Sequence, residues 1–328
     1  MHKFAPKEIF SIQTSPQFEE LALAIFREQA EHCEVYRKFV RNLGVKSSEI
    51  KFVNDIPFLP IEFFKSQDIM TGTGEAELAF TSSGTTGMLQ SRHLVLDAGV
   101  YVQSFRKAFE IFYGDITKYT VLALLPSYLE RDGSSLIYMV DDLIRSGGNE
   151  QSGYFLYDHE KLLEKLQELM RAKNPAILIG VTYALLEFAE SHSIDFPQLI
   201  VMETGGMKGK RREMVRSELH EILCMGFGVP LIHSEYGMTE LLSQAYSKGA
   251  GIFHCPPWMK VLIRDTNDPL EILGPGQTGG INIIDLANVN SCSFIATQDL
   301  GKASKDGTFE VLGRFDYSDI RGCNLLVQ

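Results

Sequence analysis

No run of apolar residues in this 328-residue chain approaches the ~20 that a membrane-spanning helix needs, and the first residues lack the basic-then-apolar layout of a secretory signal. Basic charge is scarce as well: 31 Lys and Arg stand against 42 Asp and Glu, a net charge of −11. No basic block stands out beyond Lys208-Gly209-Lys210-Arg211-Arg212, and basic–aromatic interleaving is missing. Both features argue against nucleic acid and anionic membrane as main partners. The five cysteines are scattered and odd in number, which implies reduced thiols rather than a disulfide framework and therefore a cytoplasmic location. There is no G-x-G-x-x-G dinucleotide fingerprint, G-x-S-x-G elbow or H-E-x-x-H helix. His254-Cys255 with His233 upstream lacks a second ligand pair at metal spacing, so zinc is not expected. No general base can be picked out from spacing, and Arg131-Asp132-Gly133 reads as a turn.

What is present is an ordinary globular composition, 45% apolar and 22% charged, in a chain long enough for one large α/β unit or two domains. Ser15-Pro16 reads as a cap and a first-turn proline, followed by apolar residues at helical spacing from Phe18 to Leu43 before Gly44. From about Leu78 the chain alternates. Thr120–Leu125, Ala176–Gly180, Leu199–Met202 and Leu231–His233 read as buried strands. Val100–Phe112, Ser134–Arg145, His159–Arg171, Thr182–Glu190 and Arg211–Cys224 read as amphipathic helices. This alternation predicts a largely parallel sheet flanked by helices. Beyond Pro257 short strands (Val261–Ile263, Ile281–Ile284, Phe294–Ala296, Phe309–Leu312) separated by turns predict a small β-rich subdomain. The expected division is 1–256 for the α/β body and 257–328 for the subdomain with the C-terminal tail. Cys33 is expected on a helix face, Cys224 at a helix end and Cys292 in a strand. Val181–Leu186 and Phe58–Phe64 fit either an apolar pocket or plain core.

Four segments carry chemistry. Thr81-Ser82-Ser83-Gly84-Thr85-Thr86-Gly87 follows the apolar Leu78-Ala79-Phe80. A strand running into such a loop offers backbone N–H groups and short hydroxyls to a polyphosphate, although no Lys-Ser/Thr completes a Walker pattern. Glu235-Tyr236-Gly237-Met238-Thr239-Glu240 follows a strand, where open α/β sheets bind ligands. There an aromatic stacks on a purine, a hydroxyl reaches phosphate, and a carboxylate holds Mg²⁺. Its structural alternative is a helix start capped by Thr239. Thr297-Gln298-Asp299-Leu300-Gly301 and Gly313-Arg314-Phe315-Asp316 place an Asp suited to ribose hydroxyls near an Arg; the alternative is two polar hairpin turns.

Taken in order, these segments resemble the adenylate-forming (ANL) superfamily: phosphate loop, then Y-G-x-T-E, then an x-x-D-L-G turn, then a G-R-x-D hinge. Gly205-Gly206 falls where that superfamily lines the adenine. The resemblance runs from about Phe80 to Gly322. It implies ATP as co-substrate and Mg²⁺ as cofactor, with phosphates held by Ser82, Ser83, Gly84, Thr85, Thr86 and Gly87. It further implies adenine bounded by Gly205, Gly206, Tyr236 and Gly237, ribose held by Asp299 and Arg314, Thr239 at the phosphate and Glu240 on the metal.

Two departures stand out. Met88-Leu89-Gln90-Ser91-Arg92-His93 follows the loop where a lysine is usual, leaving Arg92 or His93 as substitutes or simple strand caps. The sequence also stops soon after the hinge, where typical members continue into a mobile domain on the order of 100 residues. In that length, in the phosphate loop and in a near-terminal cysteine, it is similar to the acyl-protein synthetases (LuxE-type). That similarity implies a carboxylic, fatty-type acid substrate, acyl transfer to Cys323, and a reductase partner. Arg321 beside Cys323 would favour thiolate, whereas a lone cysteine is otherwise a small buried hydrophobe. Two other readings stay open: an acyl- or aryl-CoA ligase of the phenylacetate type with a separate C-terminal domain, and a non-catalytic binder of nucleotide or acyl-adenylate.

Overall fold

The computed structural model describes residues 4–82, 89–126, 133–205 and 214–314. The N-terminal stretch forms α1 (Pro6–Ile9), α2 (Ser15–His32), α3 (Glu34–Asn42), β1 (Leu59–Pro60), α4 (Phe63–Ser66), β2 (Leu78–Thr81) and β3 (Arg92–Val95). Alternation follows: α5 (Ala98–Tyr113), β4 (Thr120–Leu124), α6 (Ser135–Gly147), β5 (Gly153–Tyr154), α7 (His159–Ala172), β6 (Ala176–Val181) and α8 (Thr182–Ser191). It continues through β7 (Ile200–Thr204), α9 (Arg216–Phe227) and β8 (His233–Tyr236). Then come β9 (Ala245–Ser247), β10 (Ile252–His254), β11 (Met259–Arg264), β12 (Thr278–Asp285), β13 (Phe294–Ala303) and β14 (Phe309–Arg314).

Two compact units result, and they do not follow the linear order of the chain. One comprises residues 1–79, 84–100 and 254–328; the other comprises 80–83 and 101–253. In the second unit the strands lie in the order β9-β8-β7-β6-β4-β5. The steps from β5 through β8 are parallel, and β9 closes antiparallel on β8. β4 and β6 are buried along their whole length, which is why they read as unbroken apolar runs. At Gly180 a Cβ would come within 2.8 Å of Leu185 Cγ and 2.9 Å of Leu124 Cβ, so only glycine lets α8 leave β6 this closely.

The first unit is built on an antiparallel ladder in the order β11-β12-β13-β14, with β1 added parallel to β13. Phe26, Tyr36 and Phe58 gather around Phe294 at centroid distances of 5.9, 6.0 and 6.3 Å. The Gln29 carboxamide crosses from α2 to bond the Asn288 and Val289 carbonyls, both at 3.1 Å, and accepts from Ser293 N at 2.9 Å. Buried Arg264 donates to the Ile281 carbonyl at 2.8 Å and to that of Thr297 at 2.5 Å.

Several elements differ from expectation. The cap of α2 is Thr14, whose hydroxyl accepts from Gln17 N while Gln17 reaches back, and Ser15 is already helical. The long N-terminal helix breaks at Cys33, whose backbone is extended and bridges Thr71. Cys292 precedes β13 rather than lying in a strand. The strand expected at Leu231–His233 runs instead from His233 to Tyr236. Thr297–Gly301 is no turn: it continues β13, with a bulge between Leu300 and Gly301. Cys33, Cys224, Cys255 and Cys292 are free thiols. Among the described residues no helix is long and apolar enough to cross a membrane.

Candidate functional site

In the second unit, the carboxyl ends of β6, β7 and β8 bring Thr182, Thr204 and Tyr236 to one rim of a parallel sheet. Side chains on β7 and β8 alternate between its two faces. On the α8/α9 face, Glu203 Oε1 accepts from Arg216 Nη1 at 2.7 Å, and Glu203 Oε2 accepts from Thr182 Oγ1 at 3.1 Å. Arg216 also reaches Ser234 Oγ at 3.2 Å, and its guanidinium lies 5.3 Å from the Phe253 ring centroid. His220 Nε2 is 3.7 Å from Glu203, beyond direct hydrogen bonding. Burial works against ionisation of Glu203, but His220, Arg216 and Ser234 outweigh it and hold the carboxyl below its ordinary range. Tyr236 lies on this face, edge-on to Phe253 at 5.9 Å.

The α5/α6 face is different. Thr204 Oγ1 donates to Glu235 Oε2 at 2.5 Å, and Tyr246, opposite Glu235 in register, is fully buried. Burial, seconded by the Glu235 charge, pushes the phenols of Tyr113 and Tyr246 upward. Beyond β8 the chain does not enter a helix: Thr239 and Glu240 form a turn, so the helix-cap alternative for this segment fails. Glu240 is 5% exposed. A Cβ at Gly237 would lie 2.5 Å from Glu235 Oε1, so a side chain there would force that carboxylate to move.

The remaining expected residues are distributed as follows. Ser82 follows β2 and is half-buried, and Thr81 N donates to the Gly133 carbonyl at 2.7 Å. Gly205 directly follows β7 with φ of 57°. Ser83, Gly84, Thr85, Thr86, Gly87, Gly206 and Cys323 lie outside the described residues, as do Arg131, Asp132, Arg321, Phe315, Asp316 and the basic block 208–212. In the first unit Asp299 and Arg314 are register partners on β13 and β14. Arg314 Nη2 donates to Gln298 Oε1 at 3.1 Å, and Asp299 N donates to Thr297 Oγ1 at 3.1 Å. Arg92 pairs with Asp68, and His93 is fully buried, edge-on to Phe64 at 5.6 Å. Among the described residues no three His, Cys, Asp or Glu are grouped to hold a metal by themselves. Val181–Leu186 and Phe58–Phe64 largely serve as core.

Glu203, Arg216, Thr204 and Gln244 were not singled out from sequence. The available signal was the polar pairs Glu203-Thr204 and Ser234-Glu235, each near the end of a buried strand.

Comparison with known proteins adds the following. Residues 3–106 match the family of acyl-protein synthetases, LuxE. That match ends before the Tyr236–Glu240 and Asp299 segments. A 70-residue stretch is 37% identical to the long-chain-fatty-acid–luciferin-component ligase of Photorhabdus luminescens, covering 21% of this chain and 60% of that protein. The fold is that of adenylating enzymes. ATP-bound MatB from Rhodopseudomonas palustris superposes with a TM-score of 0.54 at 19% identity, over 74% of this chain and 49% of MatB. A 2-hydroxyisobutyryl-CoA ligase, solved with 2-HIB-AMP and CoA, gives 0.66 at 12% identity, over 95% of this chain and 77% of the ligase. The matched stretches thus span less than two thirds of the curated relative and about half of MatB.

Proposed function

We propose that this protein is an adenylate-forming acid–thiol ligase of the acyl-protein synthetase type, activating a carboxylic acid, of fatty type by analogy with its relative, with ATP. The observation that carries the reading is the Tyr236–Glu240 segment, which leaves a parallel strand at its carboxyl end and buries a carboxylate in a turn. In the reaction a carboxylate oxygen of the acid attacks the α-phosphorus, the α–β anhydride bond breaks, and pyrophosphate leaves. The residues of the chain contribute position and charge. Tyr236, Gly237, Gly205 and Gly206 bound the adenine, Asp299 and Arg314 hold the ribose, and Ser82 with Ser83–Gly87 and Thr239 hold the phosphates.

Glu240 fits a hard cation, since its donor is a carboxylate and no all-protein cage surrounds it among the described residues. Mg²⁺ characteristically keeps waters and substrate phosphates as its other ligands. Bound there, the metal would neutralise charge on the phosphates. Glu240→Gln retains shape and loses that charge, so ATP–pyrophosphate exchange should fall by roughly 10²-fold or more with the fold intact. Exchange near the wild-type rate would overturn the role.

In the second half-reaction a thiolate attacks the acyl carbonyl, a thioester forms, and AMP leaves. We assign the thiol to Cys323, from which the acyl group passes to a reductase partner. Cys323→Ser should keep pyrophosphate release and lose hydroxylamine-labile acyl label on the protein. Full labelling of that variant would move the acceptor to an external thiol such as CoA.

A further inference from the structure

β12 pairs with one edge of β13 at both ends of the strand, and the other edge changes partner part-way along. β1 covers that edge at Ile295 and Ala296, and the Ile61 amide extends the pairing by donating to the Ala296 carbonyl at 2.9 Å. β14 covers it from Ala303 back to Asp299. β1 runs parallel to β13 and β14 antiparallel, so the carboxyl ends of these two strands converge at residues 297 and 298. Glu62 stands at one end, Arg314 at the other, and Gln298 between them.

The Gln298 carboxamide joins the two ends. Its Nε2 donates to Glu62 Oε1 at 2.7 Å, and its Oε1 accepts from Arg314 Nη2 at 3.1 Å. Both partners demand the same orientation of the amide, because a carboxylate only accepts and a guanidinium only donates. A bulge completes the arrangement. One step on β13, from Leu300 to Gly301, spans two on β14, from Gly313 to Val311. Leu312 is the extra residue, and Gly313 has a φ of 150°, which side chains disfavour. Such bulges re-aim a side chain, here that of Arg314. Arg314 is exposed, and a long cation at a strand end would otherwise sample many rotamers. Holding a binding group in one direction lowers the cost of ordering it when its ligand arrives.

We propose that Gln298, anchored by Glu62, is a positioning residue that aims Arg314 at the ribose of ATP. This rests on the adenylating reading above, in which Arg314 holds that ribose. Gln298 and Glu62 act through the guanidinium and make no contact with the nucleotide themselves.

The test is ATP–pyrophosphate exchange at saturating fatty acid, with ATP compared against its deoxyribose analogues. Gln298→Met keeps the size of the side chain and removes both hydrogen bonds. It should raise the KM for ATP about 10-fold, the usual effect of losing one hydrogen bond to a charged group, with kcat and the KM for the acid unchanged. It should also shrink the preference for ATP over the deoxyribose analogues, which a loss of packing would not do. Glu62→Ala opens the relay from its other end and should shift the same constant in the same direction by a smaller factor. Arg314→Met should raise the KM for ATP at least as far. Adding Gln298→Met to it should change nothing more, because the relay works only through Arg314. Additive effects in that double variant would overturn the proposal, as would an unchanged KM for ATP in Gln298→Met. A lowered thermal midpoint with the KM intact would overturn it too, leaving the relay as a clamp between strand ends. No exchange by wild-type protein with any acid would sink the adenylating reading itself, a result distinguishable from all the others.

Discussion

The two faces of β7 and β8 are made from adjacent residues and solve opposite problems. On one, Glu203 meets Arg216, Thr182 and the nearby His220, and Arg216 is further held by Ser234 and Phe253. On the other, Glu235 is held by the Thr204 hydroxyl, beside a Gln244 oxygen with no partner among the described residues and an apolar lining. The first arrangement pairs its carboxylate with a guanidinium, while buried His220 Nε2 has no hydrogen-bond partner among the described residues, and it braces the strand ends from which Gly205 and Gly237 depart. The difference lies in the counter-group: one face pairs its carboxylate with a guanidinium, and the other holds its carboxylate with a threonine hydroxyl.

The largest effect should come from breaking the guanidinium pair. Arg216→Met takes the guanidinium from the Glu203 carboxylate, which keeps Thr182, and because Arg216 is 32% exposed the loss should be about 1.5–3 kcal/mol. Urea denaturation should show that loss as a lower midpoint. Adding Glu203→Gln should recover most of it, because the stranded charge is gone. If the double variant is as unstable as the single one, packing of the Arg216 stem against Phe253 and Gly251 dominates, and the face is braced by shape rather than charge.

Much of this frame was legible in the sequence. Ala176–Val181 reads as a strand because burial on both faces demands an unbroken apolar run, and α5 to α9 read as helices through their apolar spacing. β8 was misplaced because His233-Ser234-Glu235-Tyr236 is polar, and its strand character comes from pairing between β7 and β9. Asp299-Leu300-Gly301 carries turn formers, yet pairing with β12 and β14 overrides local preference and absorbs the mismatch in a bulge. The motif residues Tyr236, Gly237, Thr239 and Glu240 were visible because they are contiguous. Gln244 and the Glu203–Arg216 network were not, since their meaning depends on partners 7 to 31 positions away in the chain.

Acid titration should sharpen the comparison with the smallest effect. His233 sits on the α5/α6 face, with Nδ1 3.2 Å from the Tyr113 hydroxyl and Lys248 over the Tyr113 ring. Burial, seconded by the Lys248 charge, lowers its pKa from 6.5 to about 4. The folded imidazole therefore stays neutral where the unfolded one takes up a proton. Its contribution to stability is complete above pH 6.5 and is lost as pH falls toward about 4. Glu203 is also depressed, but from 4.5, so its contribution is present above that value and lost only as pH falls through its lower folded pKa. The two faces thus titrate in different windows. His233→Gln should flatten the dependence of the thermal midpoint on pH between 6.5 and about 4, a difference of roughly 2–4 °C, and leave the steeper loss below it. An unchanged slope in that window would mean that His233 is not the group that senses acid on this face.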